Sequence, residues 1–249
     1  LFPNLNVTYA FNSLKTSMLV GQYSRNIERP AFHSLSPNHI QLSDYSYQIG
    51  NPYLKPTYIN RFNLTWVYQY RYTVTVGGNL HHNLIREFCK QDANDPDISY
   101  ITPENHSTEN HWFIAVNLPF QPVRWCNLTA NFIGVKQDIR MSESAALAKH
   151  YLMFANATAT FYLPASYNME IQYGGASRLY SGNSEVAPRH TLGFTLRKKF
   201  MNERLLVTAG VNNIFNRYNN YVNNLDAYKT ESHYKEGSAG RIFKVSLSW

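Results

Sequence analysis

The side chains able to do chemistry in this 249-residue chain are nine histidines, sixteen acidic residues and two cysteines, and their spacing limits what they can do. His81 and His82 are neighbours in an alternating stretch. Successive side chains of a strand point to opposite faces, so these two cannot share one metal. Asp92, Asp95 and Asp97 crowd a polar segment without EF-hand spacing, and they read as a solvated loop. Cys89 and Cys126 fall near opposite ends of their expected strands, so no disulfide joins them, and without metal spacing they say little about redox compartment. The chain carries no Gly-x-Ser-x-Gly, no His-Glu-x-x-His and no phosphate loop. The expectation is a protein with no catalytic residue, no cofactor and no metal.

What remains is non-covalent contact. Tyr45, Tyr47, Tyr53, Tyr221, Tyr228 and Tyr234 lie in long polar connections. There they offer amphipathic surface for sugars, peptides or chelates, and loops on a rigid scaffold carry recognition. Packing of the loops on one another accounts for these tyrosines equally well. A second set, Arg61, Asn63, Asn79, His81, Glu170, Gln172 and Arg178, occupies the polar positions of alternating stretches. If the Phe and Leu positions face lipid, this set faces a lumen, where water alone would require polar side chains. The net charge of +7 comes from scattered Lys and Arg, with Arg197-Lys198-Lys199 the densest run. Such a balance draws anionic substrates or lipopolysaccharide. No basic block interleaved with aromatics suggests nucleic acid.

The elements that must position these residues are strands. Alternation marks eleven of them, at about 4–11, 16–28, 57–69, 72–88, 107–118, 123–139, 148–162, 166–180, 189–200, 204–214 and 239–249. Tyr58, Phe62, Leu64, Trp66, Tyr68 and Tyr70 oppose Arg61, Asn63, Thr65 and Gln69, the period of a sheet with one apolar face. Strand 123–139 alternates poorly and its faces stay unassigned. All 11 prolines fall outside these strands, as expected where a residue cannot donate to a ladder. Connections near 12–15, 70–71, 119–122, 163–165 and 201–203 are short, and those at 30–56, 89–106, 140–147, 181–188 and 215–237 are longer. Odd and even connections sit on opposite edges, so one edge is tight and the other elaborated, as in outer-membrane barrels.

Composition agrees: charged residues are 16%, below the ~25% of soluble domains, beside 19 Tyr, 14 Phe and 4 Trp. No apolar run approaches the ~20 residues of a transmembrane helix. A tyrosine-rich soluble sandwich fits the composition as well. Strand length separates the two, since many strands run 12 to 17 residues against ~5–6 in ordinary sheets and ~9–11 for a tilted membrane strand. Aromatics beside the short turns, such as Tyr68, Tyr70, Phe161 and Tyr162, match an interfacial girdle.

Several segments resemble the barrel of TonB-dependent outer-membrane receptors, most closely the Bacteroidetes-type outer-membrane β-barrel family. They are Tyr23-Ser24-Arg25, Arg29-Pro30, Leu35-Ser36-Pro37, Gly50-Asn51-Pro52-Tyr53-Leu54-Lys55-Pro56 and Asn212-Asn213-Ile214-Phe215-Asn216-Arg217-Tyr218. The last strand carries Phe243, Val245, Leu247 and Trp249 on one side, similar to a barrel-assembly signal, with Trp in place of the family's usual Phe. The Gly and Pro of the longest motif read as fixing sharp turns that return an outer loop to the next strand.

The resemblance spans essentially the whole chain, with no plug, TonB box or signal peptide in it. It implies an all-β, antiparallel up-and-down transmembrane β-barrel. Residues 1–249 would be its carboxyl-terminal portion, about eleven strands of a probable 22-stranded barrel. The implied function is TonB-dependent uptake of a scarce solute, such as a siderophore, glycan or peptide, in the cell outer membrane of a Gram-negative cell. The implied partners are outer-membrane lipid and lipopolysaccharide, the TonB complex through an amino-terminal part, the barrel-assembly machinery, the small solute and, in related systems, a lipoprotein lid. A passive pore and a surface-binding or adhesion β-protein are the rival readings, and a plug sequence upstream would exclude both.

Overall fold

The computed structural model describes residues 2–106, 108–140, 146–202, 204–216, 219–224, 229–234 and 240–249. The elements run β1 (Asn4–Ala10), β2 (Ser17–Glu28), a single helical turn α1 (Phe32–Leu35), β3 (His39–Ser43), β4 (Ser46–Ile49), β5 (Thr57–Tyr68), β6 (Tyr72–His82), β7 (Ile85–Gln91), β8 (Ser99–Asn105), β9 (Thr108–Val123) and β10 (Cys126–Arg140). They continue with β11 (Ala148–Leu163), β12 (Tyr167–Ala176), β13 (Leu179–Ser181), β14 (Ser184–Val186), β15 (Arg189–Phe200), β16 (Leu205–Asn212), β17 (Asn219–Asn224), β18 (Lys229–Tyr234) and β19 (Ile242–Ser248). No described helix is long and apolar enough to cross a membrane.

Eleven strands form one antiparallel wall in the order β1-β2-β5-β6-β9-β10-β11-β12-β15-β16-β19. Its register lines up side chains of one kind. Val7, Gly21, Leu64, Val76, Ile114, Gly134 and Met153 stand opposite one another in a single row. The neighbouring row on the other face runs Asn6, Gln22, Asn63, Gly77, Phe113, Val135 and Leu152. The first face exposes Leu64, Trp66, Val76, Trp112 and Ile114, a surface suited to lipid rather than water. The tight hairpins lie along one edge. Three of them place non-glycine residues at positive φ in succession, Gln69-Tyr70, Ala165-Ser166 and Met201-Asn202. Such turns match the twist of the strands they join.

The long connections are themselves folded. β3, β4, β8 and β7 make one four-stranded sheet, and β13, β14, β17 and β18 another. Apart from Cys126, the buried apolar side chains belong to the first of these sheets, to the segments next to it or to the long-connection ends of the wall strands: Leu54, Ile59, Leu84, Phe88, Cys89, Ile139 and Leu152. Within this sheet β4 and β8 pair in parallel. The chain traverses β5, β6 and β7 between them, which supplies the long crossover that parallel pairing needs.

Several sequence expectations require correction. The segment 72–88 breaks at Asn83, whose φ of 56° ends β6 and starts β7. The segment 166–180 ends in the wall at Ala176, so Arg178 lies outside it. Three prolines lie inside strands: Pro103 in β8, and Pro119 and Pro122 in β9, whose turn is at Arg124-Trp125. Each stands where the ladder is one-sided. β6 accompanies β9 only as far as Asn117, and the pairing with β10 is irregular between Cys126 and Leu128. β4 accompanies β8 only as far as Ile101. A missing N–H costs nothing at an edge or bulge. Strand β10 alternates poorly because its upper end is covered on both faces, with Gln137, Asp138 and Ile139 all buried.

Candidate functional site

The sequence around Gly50 builds the base of the outer region. The Gly50 N–H donates to Ser36 O at 2.9 Å and the Asn51 N–H to Ser34 O at 2.7 Å, folding α1 back on the segment that follows β4. A Cβ at Gly50 would meet Ser36 O at 2.3 Å, so only glycine fits this approach. Asn51 Nδ2 donates to Pro103 O at 3.1 Å, and Asn105 exchanges bonds with the Lys55 backbone at 2.9 and 3.0 Å. The motif is thus a clamp that ties the first long connection to β8. Tyr53 within it is 87% exposed and Tyr45, at the β3–β4 turn, is 68% exposed.

Tyr47 takes a different position. Its ring stacks between His39 (centroids 4.7 Å apart) and Tyr100 (5.3 Å), each pair within 9° of parallel. Its hydroxyl donates to Asp92 Oδ2 at 2.7 Å. This three-ring ladder spans β3, β4 and β8 in the outer region. Asp92 and Asp95 also cap their own turn through the Asn94 and Asp97 N–H groups, at 2.8 and 3.0 Å. No three His, Cys, Asp or Glu are placed to hold a metal among the described residues.

Burial, then the bond to Asp92, pushes the Tyr47 hydroxyl up to about 12. The Asn94 N–H and then the Tyr47 hydroxyl hold Asp92 below the usual carboxylate range. The raised tyrosine contributes stability that is complete below its ordinary value near 10 and lost as pH rises through about 12. The lowered carboxylate contributes stability that is present above its ordinary value near ~3.9 and lost as pH falls through the lowered one. In tyrosinate absorbance titrations, the difference between wild type and Tyr47→Phe is expected to show one tyrosine ionising near 12; a difference centred near ~10 would count against the ladder.

Of the positions expected to face a lumen, Arg61 and Asn79 stand opposite each other, in a row with Ser24, His111, Gln137 and His150. Asn63 lies in the next row, against Gly77. Glu170 accepts from Arg197 Nη1 at 3.0 Å and from Gln172. Arg178 pairs instead with Glu185 of β14 at 3.1 Å, in the second outer sheet. Tyr221 lies in β17 and Tyr234 in β18, while Tyr228 lies outside the described residues. Phe243, Val245 and Leu247 are exposed on β19 and Trp249 just beyond its end; among the described residues β19 pairs with β16 alone.

His81 leads to a centre that the sequence did not reveal. Glu109, wholly buried on the face of β9 opposite Ile114, accepts from Arg86 Nη2 at 2.8 Å and Nε at 3.2 Å. Gln137 Nε2 donates to it at 2.9 Å and His111 Nε2 stands 2.8 Å away. His106, also wholly buried, places Nδ1 at 3.3 Å, outside hydrogen-bond alignment. His81 Nδ1 bonds the Glu109 backbone oxygen at 2.8 Å. Gln137 reaches on to Tyr180 O at 3.4 Å, and the Tyr180 ring stacks on His150 at 3.7 Å.

The Glu109 carboxylate therefore joins β7, the end of β8, β9 and β10, its backbone oxygen adds β6, and through Gln137 the centre touches β13 of the second outer sheet. A second tie runs beside it: Asn183 exchanges two hydrogen bonds with the Cys89 backbone, at 3.0 and 2.6 Å. Both cysteines are free thiols. The legible signal was the grouping of His81, His82, His106, His111 and His150 at the same ends of successive strands around a single Glu109. The arrangement can bind and position; it offers no nucleophile–base pair for covalent chemistry.

The profile of the outer membrane protein beta-barrel family matches residues 1–249. No curated protein matches the chain. Among solved structures, the siderophore receptor PirA from Pseudomonas aeruginosa superposes with a TM-score of 0.67 at 16% identity, covering 99% of this chain and 41% of that one. A mutant of the ferric enterobactin receptor PfeA from the same organism, in complex with enterobactin, gives 0.64 at 15% identity, covering 99% and 40%. The chain thus spans about two fifths of the length of these receptors.

Proposed function

Because this chain belongs to the outer membrane protein beta-barrel family, we propose that its eleven-stranded wall is the carboxyl-terminal part of a barrel of about 22 strands that takes up a scarce solute with energy supplied through TonB. The membership locates the protein in the outer membrane, and the likeness of its wall to siderophore receptors supports reading it as a receptor barrel rather than an enzyme. The observation that carries the proposal is the match of the entire wall and its outer sheets, over 99% of the chain, to siderophore receptors. Barrels of this size enclose a lumen wide enough to need a plug, so preceding sequence would supply the plug, the TonB contact and the remaining wall.

In this reading the outer loops capture the solute, with the Tyr47 ladder and exposed Tyr45 and Tyr53 as contact surface. The inner-face residues Arg61, Asn63, Asn79, His81, Glu170 and Gln172 line the path. A lipoprotein lid remains a candidate partner, and assembly would begin at the β19 strand. The barrel supplies recognition and passage and breaks no bond. A siderophore is the first solute to test, followed by glycans and peptides.

The test is uptake of labelled ferric siderophores, oligosaccharides and peptides by the native host, its deletion strain and a strain lacking TonB. At least one solute class is expected to lose uptake tenfold or more in both mutants. Uptake lost on deletion but retained without TonB would replace this reading with a passive pore. Surface binding without uptake would replace it with an adhesion protein.

A further inference from the structure

The outer sheet β3-β4-β8-β7 has two faces of different character. Residues that pair in register share a face, as do residues two apart along one strand. By that rule Tyr47, Tyr100 and Lys90 lie on one face, and Ile40, Gln48, Ile101, Pro103 and Glu87 on the other. The first face is internally satisfied, with Tyr47 bonded to Asp92 and Lys90 to Glu104. Between the second face and α1 lies a cavity of about 310 Å³. Phe32, His33 and Ser34 line it from α1, and Gln48, Glu87 and Pro103 from the sheet. The Gly50 clamp fixes these two walls to each other, since Gly50 and Asn51 hold Ser36 and Ser34 while Asn51 Nδ2 holds Pro103. The cavity is therefore built by the longest sequence motif and is no gap between independent loops.

Its polar side chains are uncommitted. Glu87 is exposed, and among the described residues its carboxylate takes no hydrogen bond and no ion pair; the side chains of His33 and Gln48 have no partner either. The cations flanking Glu87 in β7 point to the opposite face, where Arg86 pairs with Glu109 and Lys90 with Glu104. Among the described residues no Lys or Arg lines the cavity, and His33 is the other ionisable group there. One uncompensated carboxylate beside hydrogen-bonding groups draws a cation and repels an anion. Phe32, which lines the same cavity, is 90% exposed, and an aromatic ring within ~6 Å adds attraction for an ammonium group. Small-molecule sites begin at about 300 Å³, so the space suits one side chain or one sugar ring.

We propose that this cavity binds a primary ammonium group carried on a short chain or a sugar ring, as in a lysine side chain or an amino sugar. The ammonium donates to the Glu87 carboxylate in a charge-assisted bond. Gln48 and His33 meet the polar groups beside it, and Phe32 covers the carbon body of the ligand. The role of the site in capturing solute rests on the uptake reading above, whereas the binding itself does not. Joined to that reading, it favours amine-bearing peptides or glycans over anionic chelates.

Ligand-observed NMR titration of the full-length protein in detergent tests it. The probes are Nα-acetyl-lysine methylamide and glucosamine, with their amine-acetylated forms as neutral controls. At least one ammonium probe is expected to bind about tenfold tighter than its acetylated form, and which one does so separates a peptide source from a glycan source. Glu87→Gln is expected to weaken that probe about tenfold, and Phe32→Ala about threefold. Both residues are exposed, so neither change threatens the fold. Asp44→Asn, in the β3–β4 turn and outside the cavity lining, is expected to leave binding unchanged. No saturation by about 100 mM, equal affinity for the acetylated forms, or equal losses in Glu87→Gln and Asp44→Asn would overturn the proposal. Loss of the TonB-dependent reading with these results intact would leave the cavity's ligand class standing.

Discussion

Arg86→Ala is expected to release the β3-β4-β8-β7 sheet from the wall while leaving the wall itself intact. Glu109 is wholly buried and its carboxylate takes two hydrogen bonds from Arg86, whose side chain keeps 30% of its exposure. Removing one partner of a buried pair costs about 3–5 kcal/mol, mostly because the other charge is left without compensation. The partial exposure of Arg86 and the remaining bond from Gln137 place this case near ~3 kcal/mol. Since the centre joins the wall to the outer sheets, the loss should appear as local opening. Amide exchange in Ile85–Gln91 and Ser99–Asn105 is expected to accelerate about a hundredfold, with β10 and β11 unchanged; ~3 kcal/mol is a factor of about 150 in an opening equilibrium. Adding Glu109→Gln to Arg86→Met removes both charges and should restore most of the protection. Unchanged exchange in Arg86→Ala would show that the Asn183–Cys89 tie and the Gly50 clamp hold the sheet by themselves.

The same centre shows what a sequence does and does not disclose. The wall was legible because each of its strands obeys a local rule. Phe62, Leu64, Trp66 and Tyr68 alternate with Arg61, Asn63 and Thr65, and one period-two pattern fixes both strand and face. The Gly50 to Pro56 motif was legible as a turn device for a related reason: its constraints are backbone constraints, met within a few residues and across to Ser34, Ser36 and Asn105. Glu109 obeys no such rule. Its partners come from positions 86, 106, 111 and 137, and they meet only because β7 and β8 fold back over the wall. That return is a property of tertiary packing, and it also overrode the local reading twice. It placed proline in β8, where the ladder is one-sided, and it buried both faces of upper β10, erasing the alternation that would have assigned it. The tyrosines divide along the same line: Tyr47 is fixed by His39, Tyr100 and Asp92, whereas Tyr45 and Tyr53 stand free toward solvent.

Leu64→Arg is expected to be the most damaging single change within the wall, and its comparison with Gln22→Arg assigns the two faces. Leu64 lies in the apolar row between Gly21 and Val76, above Trp66 and Tyr68 on the same strand face. A cation on the lipid face of a barrel costs about 2–4 kcal/mol at the bilayer midplane, falling to about 0–1 near the interfaces. Leu64 sits on the central part of β5, away from both its turns, so the upper half of that range applies. Gln22 is exposed in the adjacent row of the opposite face, across from Asn63. A guanidinium there stays in water and should change stability by less than about 0.5 kcal/mol. Reversible unfolding of the full-length protein in lipid vesicles measures both. A loss of 2 kcal/mol or more in Leu64→Arg, with Gln22→Arg near wild type, places Phe62, Leu64, Trp66 and Tyr68 in lipid and Arg61, Asn63 and Asn79 in the lumen. Equal tolerance of the two would mean that the apolar face is not solvated by lipid. A larger loss in Gln22→Arg would invert the wall and remove the lumen-facing residues from the transport path.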